Sequence, residues 1–405
     1  MKRISLPMLL LSCALFFASA PAKAQSLTKR NLAKDLDGYC DQMIVYDRDP
    51  FKKIRKEDFI KEIDQIKKDT ATKNIDELLV ELMKANADLM DEHSEISTGD
   101  YKVLPYRFYW FKEGIYVNQT EVGNDKALYS KLIAINNVPV EEIVKRLSTL
   151  LPDKNDGYMK EYGLEMIRRD RVLHGLGIVL NTDKIEMTLL SSSNDTLHQR
   201  TSFLKRGTPN WDKLGRGKKY LRYKGRTNYW FEYEAKDNYL YVYYGSCEPD
   251  QTYSFEKFVA EVSAEAEAKN PSKIVIDLRD NAGGERPLIK PFTMWLYKSR
   301  FNKPKCIYVL IGRTTFSAGM NNIYDLKRVL PAITVGESTG GSINHMGQPE
   351  DFTLPNTGLQ ARYSTNFIVN IEDATGPTLP DVEIPETLYD YKNFIDAALN
   401  YVIKQ

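Results

Sequence analysis

The second half of the chain predicts an α/β fold, because strand-like and helix-like stretches alternate along it. Four short runs are typical of strands: residues 238–244, 274–278, 307–311 and 333–336. Three longer stretches have the spacing of helices: residues 254–268, 317–330 and 391–403. Strands followed in turn by helices are the mark of an α/β core, which we place at residues 206–405.

The first half predicts two further units. Residues 25–98 have helical periodicity, and Asn74 and Glu77 have the spacing of a capping box that starts one of the helices. Residues 99–205 are rich in short strands, and a long helix is expected from the 150s to about residue 172. The sequence therefore predicts an N-terminal helical domain, a strand-rich domain and the α/β core, in that order.

The first 24 residues have the features of an export signal. Lys2 and Arg3 precede an apolar stretch, and residues 22–24 supply the small residues of a cleavage site. Residues 10–13 resemble a lipoprotein box, but apolar residues continue past Cys13 and favour cleavage after Ala24. We expect an exported, periplasmic or extracellular protein without an integral membrane span, and a lipid anchor is the less favoured alternative.

Composition argues against several kinds of partner. Cleavage leaves 405 − 24 = 381 residues and removes three positive charges, so the formal net charge falls from +1 to −2. Such a balance gives no reason to expect binding to nucleic acid. The four histidines are scattered and no HExxH motif or Cys/His cluster occurs, so neither a metal site nor another cofactor is predicted.

Two segments of the core carry candidate chemistry. TTFSAG, residues 314–319, places Ser317 between a strand and a helix, where free N–H groups and the helix dipole favour developing negative charge. By itself this segment is more typical of an ordinary helix cap. DLRDNAGG, residues 277–284, follows a buried strand, and its glycine pair can expose backbone N–H groups to a ligand.

Together these segments resemble the tail-specific (C-terminal processing) and tricorn-type serine peptidases. VGESTGG at 335–341 and PDVEIP at 380–385 follow them in the family's order, and the likeness covers residues 228–405 well and the first half loosely. The resemblance implies a crotonase/Clp-protease-like core preceded by an N-terminal helical region and a PDZ-like module at 99–205. It also implies a serine nucleophile, Ser317, and an oxyanion hole formed by Gly283 or Gly284 with Ala318.

The resemblance also suggests which base activates the serine. The processing branch uses a lysine at the position that Ser342 occupies here, whereas the tricorn-type branch uses a histidine in the segment that contains His93. His93 is therefore the predicted general base, with His345 as its competitor. Glu372 and Asp373 are the candidates for the acid that orients the histidine. Glu92 stands where the family has a serine, which is a second departure from its pattern.

The predicted function is that of a secreted or periplasmic serine-type endopeptidase that acts on peptides or polypeptides through an acyl-enzyme on Ser317. Two alternatives stay open. One is a catalytically inactive homologue of the same fold that binds a peptide or another ligand, and the other is an esterase with the same nucleophile.

Overall fold

The computed structural model describes residues 26–152, 155–180, 184–211, 220–225 and 227–405. The predicted export signal, residues 1–24, lies outside them. In the described part of the chain, no helix is both long enough and apolar enough to cross a bilayer. Cys40, Cys247 and Cys306 are all buried thiols, and none of them forms a disulfide.

Three helices open the described chain: α1 Lys29–Tyr46, α2 Lys56–Asp69 and α3 Ile75–Asp88. The capping box predicted for α3 is present, since the Asn74 side chain accepts from the Glu77 N–H and the Glu77 carboxylate accepts from the Asn74 N–H. The apolar faces of these helices are buried in one hydrophobic cluster with residues of the strand-rich region. The helices and that region therefore share a core.

The described residues between α3 and residue 205 contain nine strands: β1 Glu95–Ile96, β2 Lys102–Val103, β3 Tyr106–Phe111, β4 Gly114–Thr120, β5 Lys131–Ile135, β6 Val138–Pro139, β7 Ile185–Leu190, β8 Thr196–Thr201 and β9 Leu204–Lys205. Strands β3, β4, β5, β7 and β8 form an antiparallel sheet in that order, and β6 pairs with β5. Helix α4, Val140–Ser148, packs its buried residues Ile143 and Leu147 into the shared core. Strands β2 and β9 form a separate ribbon.

The long helix expected up to residue 172 is correct in part. Residues 156–166 are helical throughout, as α5 Asp156–Tyr158, a π-helical turn Met159–Gly163 and α6 Leu164–Met166, and after a break the chain is helical again in α7 Asp170–Gly175. Between α6 and α7, the Arg168 carbonyl accepts from the Leu104 N–H at 2.9 Å, and Arg169 makes a β-bridge with Val103. Pairing with a distant strand has overridden the local helical preference.

The α/β core is confirmed. Its strands are β10 Tyr229–Glu234, β11 Tyr239–Tyr244, β12 Lys273–Asp277, β13 Ile307–Ile311, β14 Ile333–Gly336 and β17 Val382–Glu383, and from β11 onwards they are parallel. Its helices are α8 Phe255–Lys269, α9 Lys290–Lys298, α10 Ser317–Lys327, α11 Leu388–Asn393 and α12 Ala397–Ile403. Two hydrophobic clusters, one on each face of the sheet, bury alternate residues of the central strands.

A third sheet joins the two halves of the chain. It consists of β1, β16 (Gln360–Ile368) and β15 (His345–Thr353), so a strand beside α3 pairs with a hairpin that leaves the core. Side chains add to this contact, since Arg313 donates to the Trp110 carbonyl at 2.9 Å and Asn155 donates to the Gly340 carbonyl at 3.1 Å. These contacts dock the first half of the chain against the carboxyl ends of the core strands.

Candidate active site

Ser317 stands at a sharp turn between β13 and α10. Phe316 is extended, with φ −145° and ψ 161°, whereas Ser317, the first residue of the helix, has φ +48°. A positive φ is costly for a residue with a Cβ and is kept only where the surroundings impose it. The side chain is only partly buried and lies on the wall of a large cavity. This is the geometry of a nucleophile elbow, although the usual glycine spacing is absent.

The glycine pair lies directly against this turn. Gly283 has φ +119°, and a Cβ on it would come within 2.9 Å of the Ser317 Cβ and 3.2 Å of the Ala318 nitrogen. Only glycine has both the conformation and the absence of a side chain that this approach requires. The two segments that sequence analysis singled out therefore meet at Ser317.

Asn281 holds the two segments together, and sequence reasoning missed it. The side chain is fully buried, with its Nδ2 donating to the Tyr244 carbonyl at 2.9 Å and its Oδ1 accepting from the Gly283 N–H at 3.0 Å. Its carbonyl accepts from the Phe316 N–H at 3.0 Å. One residue thus fixes the glycine loop and the residue before the nucleophile, and only its place in the DLRDNAGG segment hinted at this.

We expect Gly283→Ala to inactivate the site and to cost about 1–3 kcal/mol in the free energy of unfolding, because it adds backbone strain to a contact with Ser317. Urea unfolding and the rate of active-site labelling would measure the two effects. Gly123→Ala is the matched control, since Gly123 has φ +98° but nothing within 4 Å of its added Cβ. Equal labelling of the two variants would contradict the proposed closeness of Gly283 to the reacting atoms.

Two backbone N–H groups are available for an oxyanion. Within the described residues, the N–H groups of Gly284 and Ala318 have no backbone hydrogen bond, and both residues line the cavity. The N–H of Gly283 already donates to Asn281. Of the three predicted oxyanion residues, Gly284 and Ala318 therefore have the free donors. Gly283 lets the backbone of the glycine loop pass close to Ser317.

His93 is brought to the same cavity from more than two hundred residues earlier in the chain. Its imidazole lies between the rings of Phe316, at 4.7 Å between centroids, and His345, at 5.5 Å. Neither of its ring nitrogens has a hydrogen-bond partner among the described residues, so the ring is close to the nucleophile turn but is not bonded to Ser317. Burial, reinforced by the nearby Arg362, lowers the pKa of His93 to about 4, so the ring is neutral at pH 7.

The two departures from the family pattern bond to each other. The Glu92 carboxylate accepts from the Ser342 N–H at 2.9 Å and from the Ser342 hydroxyl at 2.7 Å. Glu92 directly precedes His93, and Ser342 belongs to the glycine-rich loop after β14. The pair therefore anchors the histidine turn on the core. Sequence analysis had noted both positions separately, without a signal that they meet.

His345 shares the histidine site with a different set of bonds. Its Nδ1 lies 3.0 Å from the Ser342 carbonyl, and its Nε2 is buried without a partner among the described residues. Burial, and then the neighbouring His93, lower its pKa to about 4. The competitor is thus next to the predicted base, but its ring is bonded to the backbone on one side.

Buried carboxylates support the histidine turn from behind. Asp91 accepts from the His93 N–H at 2.8 Å and from the Ser94 hydroxyl at 2.5 Å, and Ser94 also lies 3.3 Å from Asp47. Burial, together with the charge of Asp91, raises the pKa of Asp47 to about 7. These acids hold the backbone of the turn and do not bond to the imidazole, whose ring nitrogens have no hydrogen-bond partner among the described residues.

Glu372 and Asp373, the candidates for the orienting acid, lie on an exposed turn after β16. Asn344 ties this turn to the glycine-rich loop by donating to the Ile371 and Ala374 carbonyls. Because His345 follows Asn344 in the chain, the turn lies near His345. Neither carboxylate bonds to the ring of His93, however. Their role stays a prediction.

The cavity that contains Ser317 and His93 has a volume of about 1490 Å³. Both halves of the chain line it, so the site is complete only when they are docked. Within the described residues, no group of three or more histidine, cysteine or acidic side chains is placed to hold a metal ion. The arrangement provides a nucleophile, a neutral base and backbone donors, which are the parts that acyl transfer requires.

Comparison with known proteins gives a fold but no sequence relative. No family model matches the sequence, and no curated protein matches it either. The structure of mature CPAF complexed with lactacystin superposes with a TM-score of 0.63 at 14% identity, covering 94% of this chain and 100% of that chain. Mature CPAF alone also gives a TM-score of 0.63 at 14% identity, covering 94% and 98%. This chain therefore shares the fold of CPAF.

A lower similarity links the chain to the photosystem II D1 C-terminal processing protease. The TM-score is 0.41 at 12% identity, covering 88% of this chain and 92% of that chain. A score of this size supports no argument about the site. The choice between the lysine and histidine branches therefore rests on the residues described above and stays a prediction.

Proposed function

We propose that this chain is an exported serine endopeptidase that cleaves peptides or polypeptides through an acyl-enzyme on Ser317. The observation that carries the proposal is the strained, cavity-facing Ser317, with the glycine pair against it and His93 in the same cavity. Chain segments that are far apart in sequence converge there, and each supplies a different part of the chemistry. The charged residues 2–3 and the cleavage-like residues 22–24 support the proposed export.

In the proposed mechanism, His93 accepts the proton of the Ser317 hydroxyl as its oxygen attacks the peptide carbonyl. The N–H groups of Gly284 and Ala318 donate to the oxyanion of the tetrahedral intermediate. The protonated His93 then gives its proton to the leaving amine, and water attacks the acyl-enzyme by the same route. The His93 ring must turn toward the Ser317 hydroxyl for the first step. Because the ring has no hydrogen bonds to break among the described residues, this rotation costs little free energy.

The size of the cavity supports a polymeric substrate. A volume of about 1490 Å³ exceeds the roughly 300–1,000 Å³ of sites that hold small molecules. Aromatic side chains, among them Tyr158 and Tyr162, line it together with charged ones. An extended peptide fits such a surface better than a single acyl group, which favours a peptidase over an esterase.

Digestion of an unfolded polypeptide tests this proposal. The mature protein is incubated with a peptide library blocked at both ends, and the products are identified by mass spectrometry. We expect internal cleavage by the wild-type chain and none by Ser317→Ala. Release of single residues only from unblocked ends would contradict an endopeptidase, and cleavage of esters alone would favour the esterase.

The pH dependence should be that of a buried base. Because the pKa of His93 is lowered to about 4, kcat/KM should stay nearly constant from pH 7 to about 5 and fall only below that. The contribution of His93 to folding stability should decrease as the pH is lowered from about 6.5 to about 4, because the unfolded histidine takes up its proton near 6.5 and the folded one near 4; Asp47, with its raised pKa of about 7, contributes with the opposite sign. Melting curves at each pH separate the two effects. A loss of kcat/KM centred near pH 6.5 in folded protein would contradict a buried base.

One observation favours the alternative of a catalytically silent binding protein. Neither ring nitrogen of His93 is hydrogen-bonded, and a pKa near 4 makes the imidazole a weak base. Under this alternative, peptides bind in the cavity with equal affinity to wild type and Ser317→Ala, and no product forms with either. Turnover by the wild-type chain excludes it.

A further inference from the structure

The lining of the cavity carries a cluster of positive charge that the proposed mechanism does not use. Four side chains, which we call the arginine wall, form it: Arg107, Arg168, Arg169 and Arg206. They come from three separate stretches of the chain. The β2–β9 ribbon and the pairing of residues 103–104 with residues 168–169 bring these stretches together.

Two aromatic rings hold the arginine wall in place. The guanidinium groups of Arg169 and Arg206 lie 5.0 Å and 5.2 Å from the centre of the Tyr101 ring. Those of Arg107 and Arg168 lie 4.9 Å and 5.2 Å from the Trp211 ring in the same manner. A guanidinium held over an aromatic ring keeps its positive charge and its N–H donors, which can still bond to a carboxylate. The rings therefore position the cations without neutralising them.

Acidic neighbours balance only part of this charge. Arg168 is paired with Glu165 at 2.8 Å. Among the described residues, neither Arg169 nor Arg206 makes a salt bridge. Glu161 also lines the cavity, and burial raises its pKa to about 7, so it is partly neutral at pH 7. Arg169 and Arg206 therefore supply positive charge without a salt-bridge partner among the described residues, and they line the same cavity as Ser317.

We propose that the arginine wall is a subsite that binds a carboxylate of the peptide in the cavity. The carboxylate is that of an acidic side chain of the peptide. A free C-terminus presents the same two oxygens to a guanidinium, and the test distinguishes the two sources. The subsite rests on the proposed peptide-binding function and gives it a charge preference. It selects acidic segments over neutral or basic ones, because a lysine side chain there would meet unbalanced positive charge.

Binding to an inactive variant tests this without requiring turnover. Fluorescent peptides of equal length are titrated into Ser317→Ala, and anisotropy gives Kd. One peptide has an internal Glu and an amidated end, one has Gln with a free C-terminus, one has Gln with an amidated end, and one has Lys with an amidated end. We expect the Glu peptide to bind about tenfold more tightly than the amidated Gln peptide, and the Lys peptide to bind most weakly. Tighter binding of only the peptide with the free C-terminus would contradict an acidic side chain as the ligand. The first two peptides distinguish the two sources of the carboxylate.

Charge removal within the arginine wall provides the matched comparison. In the Ser317→Ala background, Arg169→Gln with Arg206→Gln should abolish the preference for carboxylate peptides, whereas the corresponding double change to Lys should retain part of it. Arg200→Gln, on the exposed face of β8 away from the cavity, is the control and should change nothing. Unchanged melting temperatures show that each variant is folded.

The outcomes separate this subsite from the proposed peptidase activity. Selective binding that disappears in the double Gln variant supports the subsite even if the wild-type chain cleaves nothing. Equal affinity for all four peptides, no detectable binding of any of them, or a preference that survives the double Gln change overturns the subsite. Cleavage by the wild-type chain without any charge preference would leave the peptidase standing and also remove the subsite.

Discussion

Ser317→Ala should lower the rate of peptide cleavage by roughly 10⁴-fold or more, which is the largest effect that we expect from any single change. The hydroxyl is the only atom group removed, and its oxygen is the proposed nucleophile. Steady-state rates with a fluorogenic peptide that the wild type cleaves would measure the loss. Stability should change little, because the side chain is partly exposed on the cavity wall.

The neighbouring Ser342 is the matched control for this change. Its hydroxyl donates to Glu92 at 2.7 Å, and it stands at the position of the family's lysine. Ser342→Ala should loosen the histidine turn but keep measurable turnover, because its hydroxyl does not attack the substrate. If Ser317→Ala kept activity and Ser342→Ala lost it entirely, the nucleophile would be misassigned.

His93→Ala should produce the second-largest loss, roughly 10²- to 10⁴-fold in kcat/KM, because general-base assistance to the serine is removed. His345→Ala should cost less than about tenfold, since its ring is bonded to the Ser342 backbone and serves mainly to pack against His93. The same fluorogenic peptide measures both variants.

The ring of His93 is buried between two others, so its removal also leaves a cavity. His93→Gln, which keeps most of the volume, separates packing from proton transfer. Both variants at His93 should show this loss of kcat/KM, whereas melting temperature should fall more for Ala than for Gln. Activity retained in His93→Gln but lost in His345→Ala would make His345 the base.

Local pattern was enough to predict the α/β core. Strands such as Ile307–Ile311 are short, apolar runs that end at a helix start, and burial on both faces accounts for that composition. The same reasoning placed Ser317 at the strand-to-helix junction. It could not predict the positive φ of Ser317, because that conformation is imposed by the Asn281 and Gly283 contacts rather than by its own segment.

The rest of the site depends on contacts between distant residues. Stacking of His93 on Phe316 and the bond between Glu92 and Ser342 join parts of the chain more than two hundred residues apart, and no local period encodes them. The resemblance to a peptidase family supplied His93 as a candidate. It supplied no partner for Glu92, since Glu92 and Ser342 both depart from the family pattern.

The break in the expected helix shows the same limit and bears on function. Residues 168–169 have helical neighbours on both sides, but they pair with residues 103–104 instead. That pairing turns Arg168 and Arg169 toward the cavity as part of the arginine wall. A regular helix through this segment would have been compatible with the sequence pattern, so only the tertiary structure reveals the cluster.

The central claim is that Ser317 and His93, from the two halves of the chain, form one nucleophilic site. The most direct measurement is labelling with a fluorophosphonate, followed by mass spectrometry to locate the adduct and by rate measurement in His93→Ala and His345→Ala. We predict a single adduct on Ser317 in the wild type, much slower labelling in His93→Ala, and nearly normal labelling in His345→Ala. A well-folded wild type that remains unlabelled, or an adduct on another serine, would contradict the claim.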